Sequence, residues 1–279
     1  MSGIHLSALR ELWIHTGTAC NLSCPFCHEG SQPGDRRLEA LTLAELQPHL
    51  DAAADAGVER FAFTGGEPLI LKDIVTILRH ALALRPCLLL TNGTAPLIRR
   101  PHHLQQLRDL AYPLTFRVSI DYPDEARHDA ARGLRNFRKA LQGLKLLADA
   151  GFEVGITRQQ DAGEDSAAIA ARFRQLLRKQ GLPEALPVIA LPELGRPNQS
   201  APGAQASHAA AIETPCSRSR MLIRRDASLR YTACPLVDDD PSFDLGPSLG
   251  PALAAMVQPR HARCTTCLTQ GVPYAGATP

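Results

Sequence analysis

Two hydrophobic periods alternate along the chain from residue 12 to about residue 190. Short apolar or β-branched runs at 12–16, 60–64, 87–91, 115–120, 152–157 and 186–191 have the length and content of buried strands. Between them lie longer amphipathic stretches that predict helices of three to four turns at 71–84, 101–110, 136–150 and 166–180, with Gly151 and Gly181 as stop signals. The first helix opens on a capping box, Thr42 and Glu45, followed by apolar Leu46 and Leu50. Pro48 inside it predicts a kink or a shortened helix. Six strand–helix alternations imply an α/β fold with a parallel sheet, open or curled towards a barrel, whose chemistry sits at the carboxyl ends of the strands.

The rhythm breaks after residue 191. Pro192, Pro197, Pro202 and Pro215 stand among small and polar residues, so 192–215 is expected to be a linker between a core at 1–191 and a small unit at 216–279. That last unit is turn-rich, has little helical period, and is too small to fold on its own apolar core, so a metal staple would be physically useful.

Composition narrows the classes. With 279 residues, 44% hydrophobic and 21% charged, the chain is long enough for a real core and is not a disordered sequence. Basic and acidic residues number 30 and 28, a formal charge of +2, which offers no electrostatic reason for a nucleic-acid or membrane partner. No signal peptide or membrane span is legible, so a cytoplasmic location is expected. In a reducing compartment, eight cysteines point to metal or redox chemistry rather than disulfides. They fall as Cys20, Cys24 and Cys27, then Cys87 alone within a predicted strand as packing, then Cys216, Cys234, Cys264 and Cys267. His102, His103 and His261 read as surface residues.

Three thiolates on one loop directly after the first strand can wrap three corners of an iron–sulfur cubane and leave one iron open; a zinc knuckle, with His28 as a fourth ligand, is the alternative. The spacing Cys20-x3-Cys24-x2-Cys27, with Phe26 before the third cysteine, resembles the radical S-adenosylmethionine (SAM) superfamily. The second strand agrees independently, ending in Gly65-Gly66-Glu67-Pro68, which resembles the family's motif for the methionine amino group.

The resemblance implies a partial (β/α)6 TIM barrel, a SAM-binding 4Fe-4S cluster on the three cysteines, and reductive cleavage of SAM to a 5′-deoxyadenosyl radical that takes hydrogen from a substrate. It further implies cofactor contacts from Phe26, Gly65, Gly66, Glu67, Asn92, Ser119, Asp121 and Ile156. Glu67 is either an acceptor for the amine or a structural anchor. Arg132 resembles an arginine following strand four, or is a surface charge. Arg158, closing strand five, is the candidate catalytic cation that grips a carboxylate or a substrate group.

The C-terminal four-cysteine set suits zinc or a fully ligated cluster equally well on spacing alone. Appended to such a core, with a hairpin running from Leu222 towards Cys234-Pro235, it resembles the Twitch domain, the shortened SPASM extension, which implies an auxiliary 4Fe-4S cluster on Cys216, Cys234, Cys264 and Cys267. The turn Asp226-Ala227-Ser228 departs from the glycine usual there. Arg218, Arg220, Arg224, Arg225 and Arg230 either tune that cluster and dock an acidic electron carrier or are solvated hairpin residues.

The architecture resembles the small radical SAM alcohol dehydrogenases of aminoglycoside biosynthesis. The expected activity is therefore oxidation of a small molecule at a carbon bearing a hydroxyl or amine, with a base taking the proton, the auxiliary cluster taking an electron, and flavodoxin or ferredoxin as electron donor. Peptide modification is the enzymatic rival, disfavoured by the roughly eleven residues before the first strand. A non-enzymatic iron–sulfur or zinc protein is the rival of another class.

Overall fold

The computed structural model describes residues 3–194 and 214–273, so most of the expected linker lies outside the described residues. The strands are β1 (Glu11–His15), β2 (Arg60–Thr64), β3 (Cys87–Thr91), β4 (Leu114–Ser119), β5 (Glu153–Gln159), β6 (Val188–Leu191), β7 (Ser219–Arg225) and β8 (Ser228–Thr232). The helices are α1 (Leu43–Asp55), α2 (Ile74–Leu84), α3 (Ala95–Ile98), α4 (His102–Gln105), α5 (Glu125–Arg132), α6 (Asn136–Asp149), α7 (Ser166–Lys179), α8 (Pro215–Arg218), α9 (Leu249–Ala254) and α10 (Ala262–Gln270). One sheet runs β6-β5-β4-β3-β2-β1-β7-β8; β1 to β6 are all parallel, as the alternation predicts.

β7 pairs in parallel with β1, so the C-terminal segment continues the sheet before folding back as the antiparallel β7–β8 hairpin. The hairpin turn puts Asp226 (φ 50°) and Ala227 (φ 57°) in the left-handed region, the backbone of a two-residue turn that glycine would adopt more readily.

Alternation along each strand divides the apolar residues between two faces. Leu12, Ile14, Phe61, Phe63 and Leu89 pack with the helices in the larger core, whereas Trp13, Ala62 and Leu88 face a second apolar cluster that contains Cys216, Cys234, Cys267, Met221 and Ile223. The C-terminal segment therefore covers one face of the central strands. Near the amino ends of the strands, Arg60 donates to buried Glu11, whose carboxylate also accepts from the Trp13 indole (3.1 Å).

The capping box at Thr42 and Glu45 is present and Leu46 and Leu50 are fully buried. Pro48 does not shorten α1: it is the sixth of thirteen residues, removes one backbone donor, and the later turns are held by burial of Leu50, Ala53 and Ala54. Of the expected 101–110 helix only the one-turn α4 forms; Pro101 precedes it, Asp109 takes a positive φ, and a second one-turn helix, α3, lies just before the segment. α10 falls where the sequence predicts little helical period, and its nine residues bury Arg263 and Cys267.

α6 approaches the loop after β3 so closely that a Cβ on Gly143 would lie 2.0 Å from the Gly93 carbonyl oxygen. A methyl there forces helix and loop apart. Gly143→Ala is expected to cost about 1–3 kcal/mol, as overpacking in a close-packed core does, read as a shift in denaturant midpoint at unchanged slope.

Candidate functional site

The cysteine loop after β1 is closed at its neck, where the Cys20 amide donates to Gln32 O (3.2 Å), and is turned internally by Cys27 N to Cys24 O (3.1 Å) and Gly30 N to Cys27 O (2.9 Å). Its base is zipped onto the loop after β2: Gly66 N donates to Gly17 O (2.9 Å) and Glu67 N to Ala19 O (3.0 Å). Glycine is required for that approach. A Cβ on Gly66 would meet Ala19 O at 2.1 Å, and Gly65 adopts φ +131° with Gly17 O only 2.7 Å from where its Cβ would be.

Glu67 resolves as the anchor. Its fully buried carboxylate accepts from Leu69 N (3.1 Å), Thr91 Oγ1 (2.8 Å) and Asn92 N (2.7 Å), tying the ends of β2 and β3 together; burial raises its pKa against those three donors. Asn92 then reaches the cysteine loop, donating to Asn21 Oδ1 (2.9 Å), while Asn21 donates to Thr94 Oγ1 (3.0 Å).

These loops enclose a cavity of about 150 Å³ at the carboxyl ends of the strands. Cys20, Cys24, Cys27, Phe26, Gly65 and Gly66 line it, as do Asn92, Ser119, Asp121, Arg132 and Arg158. Two expected contacts do not. Glu67 lies behind the wall, and Ile156 is fully buried in the helix-side core, while the next three residues of β5, Thr157, Arg158 and Gln159, line the cavity instead.

Arg132 is no surface charge. It ends α5, forms an ion pair with Asp121, and stands 5.3 Å from the Phe26 ring centroid. Although burial opposes it, Asp121 holds the guanidinium above its ordinary pKa, a fixed cation beside Cys24 and Cys27. Asp121 also accepts from Gln159 N (3.1 Å). Arg158 is held in the cavity wall by a two-pronged pair with Glu164 and a bond to Gln159 O (3.0 Å). Its charge is thus already matched, which makes it a fixed wall rather than a free gripping cation.

The thiols are half-buried. Desolvation pushes Cys20 up to about 12, and Cys24 and Cys27 also upward, with Arg132 opposing the shift at both. Such groups become thiolates only when a metal centre supplies the compensating charge.

The second set also converges. Cys264 and Cys267 sit one turn apart on α10, Cys216 on α8 and Cys234 after β8, all four walling a mostly apolar pocket. Burial raises all four thiols, Cys264 to about 11 and Cys267 to about 12. A mononuclear tetrahedral Zn–S4 site needs sulfurs within about 4 Å of one another, given Zn–S of about 2.3 Å. Among the described residues, one group of three potential ligand atoms lies within 4.8 Å of one another, and it contains no cysteine. In neither thiol set do three sulfurs lie within 4.8 Å of one another.

That compact group is His15, Glu29 and Asp238, all buried and absent from the sequence-based site. His15 Nδ1 accepts from the Gly17 amide (3.2 Å), which assigns the ring proton to Nε2, facing Glu29. A protonated Nε2 donates a hydrogen bond and has no lone pair for a metal, so the trio is a hydrogen-bonded cluster. Against burial, the imidazole holds Glu29 well below the usual carboxylate range, while burial and the Glu29 charge push Asp238 up to about 6.

Four of the hairpin arginines have partners within the fold, and Arg230 stays 35% exposed. Arg220, fully buried, donates to Ala252 O (2.8 Å) and Cys216 O (2.7 Å); Arg224 pairs with Glu39 and Glu45, Arg225 bonds Asp238 O, and Arg230 pairs with Asp244. His261 is likewise not a free surface residue: it caps α10, accepting from Arg263 N (3.1 Å), and faces Asp239 (3.4 Å). Cys87 is buried in the core, as expected.

Arg263 joins the two cysteine loops. Immediately before Cys264 and 1% exposed, it donates to Leu236 O (2.9 Å) and to His28 O (2.6 Å), the residue after Cys27, and contacts Asp239 Oδ1 (3.2 Å). Arg263→Met is expected to cost about 1–3 kcal/mol for each buried carbonyl it orphans, read by chemical denaturation of the cluster-loaded protein.

The Radical SAM superfamily family model matches residues 14–158. An AdoMet-dependent heme synthase of Nitratidesulfovibrio vulgaris is 32% identical over 145 residues, 50% of this chain and 37% of the relative. A GTP 3′,8-cyclase of Yersinia pestis is 33% identical over 138 residues, 48% of this chain and 40% of the relative. The chain thus spans well under half the length of these curated relatives. Among solved structures, native anSMEcpe with bound AdoMet superposes with TM-score 0.65 at 15% identity, covering 88% of this chain and 81% of that one. Streptococcus suis SuiB bound to S-adenosylmethionine gives 0.64 at 14%, covering 87% and 64%. Those two likenesses establish the fold, while the matched residues run from β1 to Arg158 and contain the three-cysteine loop, the Gly65–Gly66 turn and the Asn92 and Asp121 contacts: this chain is a member of the Radical SAM superfamily.

Proposed function

We propose that this radical SAM enzyme oxidises a small molecule at a carbon bearing a hydroxyl or an amine, in a cytoplasmic setting where a flavodoxin- or ferredoxin-like protein supplies electrons. The observation that carries the reading is the pairing of two unequal thiol sets. Cys20, Cys24 and Cys27, one ligand short of a closed cubane, face the strand-end cavity; Cys216, Cys234, Cys264 and Cys267, a complete set, sit in an apolar pocket.

When bound, a 4Fe-4S cluster and SAM supply a 5′-deoxyadenosyl radical that removes a hydrogen atom from the substrate. The chain's own residues prepare that chemistry. Gly65 and Gly66 bring backbone to the cavity wall without side-chain bulk, Asn92 and Ser119 offer polar contacts there, and the Asp121–Arg132 pair fixes one carboxylate and one cation beside the cysteine loop. The Arg158–Glu164 pair closes the wall at β5. Oxidation of an alcohol needs a place for one further electron, and a fully ligated cluster on the four-cysteine set, in a Twitch-like C-terminal unit, suits that role better than substrate binding, since it offers no vacant iron.

Anaerobic reconstitution is expected to give about eight iron and eight sulfide, falling by about half in a Cys20, Cys24, Cys27 triple-alanine variant. One equivalent of zinc held by the four-cysteine set instead of iron would overturn the two-cluster reading. Reduced protein with SAM should release 5′-deoxyadenosine. Deuterium placed on the carbinol carbon of a substrate alcohol should appear in that product; transfer only from a peptide α-carbon would assign the chain to peptide modification instead.

A further inference from the structure

The residues that match the family's cofactor motifs line the cavity from the ends of β2 to β4, as far round as Ser119 and Asp121. Beyond them the end of β5 contributes Thr157, Arg158 and Gln159, and the end of β6 contributes Leu191, Pro192 and Leu194. β4 and β5 pair as far as Ser119 opposite Thr157; β5 then runs on to Gln159, which pairs with Leu191 of β6. Gln159 thus stands at a boundary, with polar wall on one side and apolar wall on the other.

Its backbone is pinned at both polar atoms. The Gln159 N–H donates to Asp121 Oδ1 (3.1 Å), and its carbonyl accepts from Arg158 Nη1 (3.0 Å). Both of those side chains are themselves fixed, Asp121 by Arg132 and Arg158 by Glu164. The half-buried Gln159 carboxamide, by contrast, makes no hydrogen bond among the described residues, and it is the polar group that Gln159 has left for the cavity. Its β5 neighbours are not equivalent: Thr157 Oγ1 is closed off from solvent, and the Arg158 guanidinium is occupied by Glu164. An accessible, unpartnered group on a rigidly held backbone meets the requirement for precise recognition.

We propose that the Gln159 carboxamide is the specificity-determining contact of this enzyme, recognising a neutral hydroxyl on a substrate whose adjoining face is apolar. The proposal rests on the reading that the cavity hosts SAM and a substrate that is oxidised, and of the two substrate kinds that reading admits, alcohol and amine, it selects the alcohol. A carboxamide donates through Nε2 and accepts through Oε1, and a hydroxyl answers both. An ammonium only donates and a carboxylate only accepts, so either leaves one end of the amide unpaired. Nor does a charged group find an unmatched counter-charge in the described wall, where Asp121 faces Arg132, Arg158 faces Glu164, and Glu29 faces His15 and His28. Taking a full charge out of water into such a wall is costly. Leu191, Pro192 and Leu194 offer no polar side-chain atom and fit a hydrocarbon face. Asp121 and Arg158 act on the substrate only through Gln159 in this contact, as positioning residues.

The test uses the cluster-loaded protein saturated with SAM at pH 7 and three probes on one ring, cyclohexanol, cyclohexylamine and cyclohexanecarboxylate, in anaerobic equilibrium dialysis. Cyclohexanol should bind about tenfold more tightly than either charged probe, the discrimination expected when one partner of a hydrogen bond is left unpaired. Gln159→Leu should weaken cyclohexanol about fivefold to tenfold and leave SAM affinity within about twofold. Gln159→Glu, nearly the same shape with a charge in place of the amide, should invert the ranking and put cyclohexylamine first.

The proposal is overturned if no probe binds, if a charged probe matches cyclohexanol on the unsubstituted protein, or if Gln159→Glu leaves the ranking as it was. It is overturned equally if Gln159→Leu weakens SAM as much as the alcohol, which would assign the residue to the cofactor or to the fold. Should Gln159→Leu fail to fold, Gln159→Glu and the probe ranking decide the matter. Release of 5′-deoxyadenosine is scored separately. Its appearance without the probe ranking refutes the contact and leaves the enzymatic reading standing; the ranking without its appearance does the reverse.

Discussion

Two backbone hydrogen bonds hold the site in register: Gly66 N to Gly17 O and Glu67 N to Ala19 O. They bring the loops after β1 and β2 to a separation that no side chain would permit, since a Cβ on Gly66 would fall 2.1 Å from Ala19 O. Everything nearer the chemistry hangs from this contact. The cysteine loop departs from one side of it, and Glu67, from the other, secures the end of β3 through Thr91 and Asn92. Asn92 closes the circuit by returning to Asn21 in the cysteine loop. Three loops distant in sequence become one rigid rim, and precise positioning of reactive groups depends on such rigidity.

Charge is arranged in pairs around that rim. Asp121 with Arg132, Glu164 with Arg158, and Glu29 with His15 each bury an ion or polar partner that would be costly alone. Within each pair the partner removes freedom: Arg132 is held near the cysteine thiols, Arg158 is folded into the wall, and Glu29 is held against His15. The C-terminal segment is joined to the same rim, because Arg263 and Asp238 meet His28 and His15 on the far side of the cysteine loop. The two thiol sets are therefore connected through residues directly beside their ligands, and order in one loop supports order in the other.

The six parallel strands, the capping box at Thr42, the three-cysteine loop, the Gly65–Gly66 turn and the hairpin before Cys234 were all legible in the chain. Each is a local pattern: periodicity, a cap, or a spacing that means the same thing wherever the residues lie. Reading failed where a residue's role depends on its neighbours in space. Ile156 is buried in the helix-side core, whereas the three residues after it on β5 reach the cavity. Pro48 is tolerated because the apolar face of α1 is already buried beyond it. Arg220, His261 and Arg263 carry no sequence signal that separates a buried structural cation or cap from a solvated one, since the carbonyls and carboxylates that hold them lie up to 235 residues away.

The sequence by itself determined the order of the six parallel strands, the family chemistry and which thiols group together, because strand period, turn chemistry and ligand spacing are properties of short stretches. Only the tertiary structure decided that β7 extends the sheet beside β1, that α10 carries Cys264 and Cys267 on successive turns, and that His15, Glu29 and Asp238 meet at one buried point. Those outcomes are set by which faces must be covered and which buried polar groups must find partners, and both conditions are met between segments that no local pattern relates.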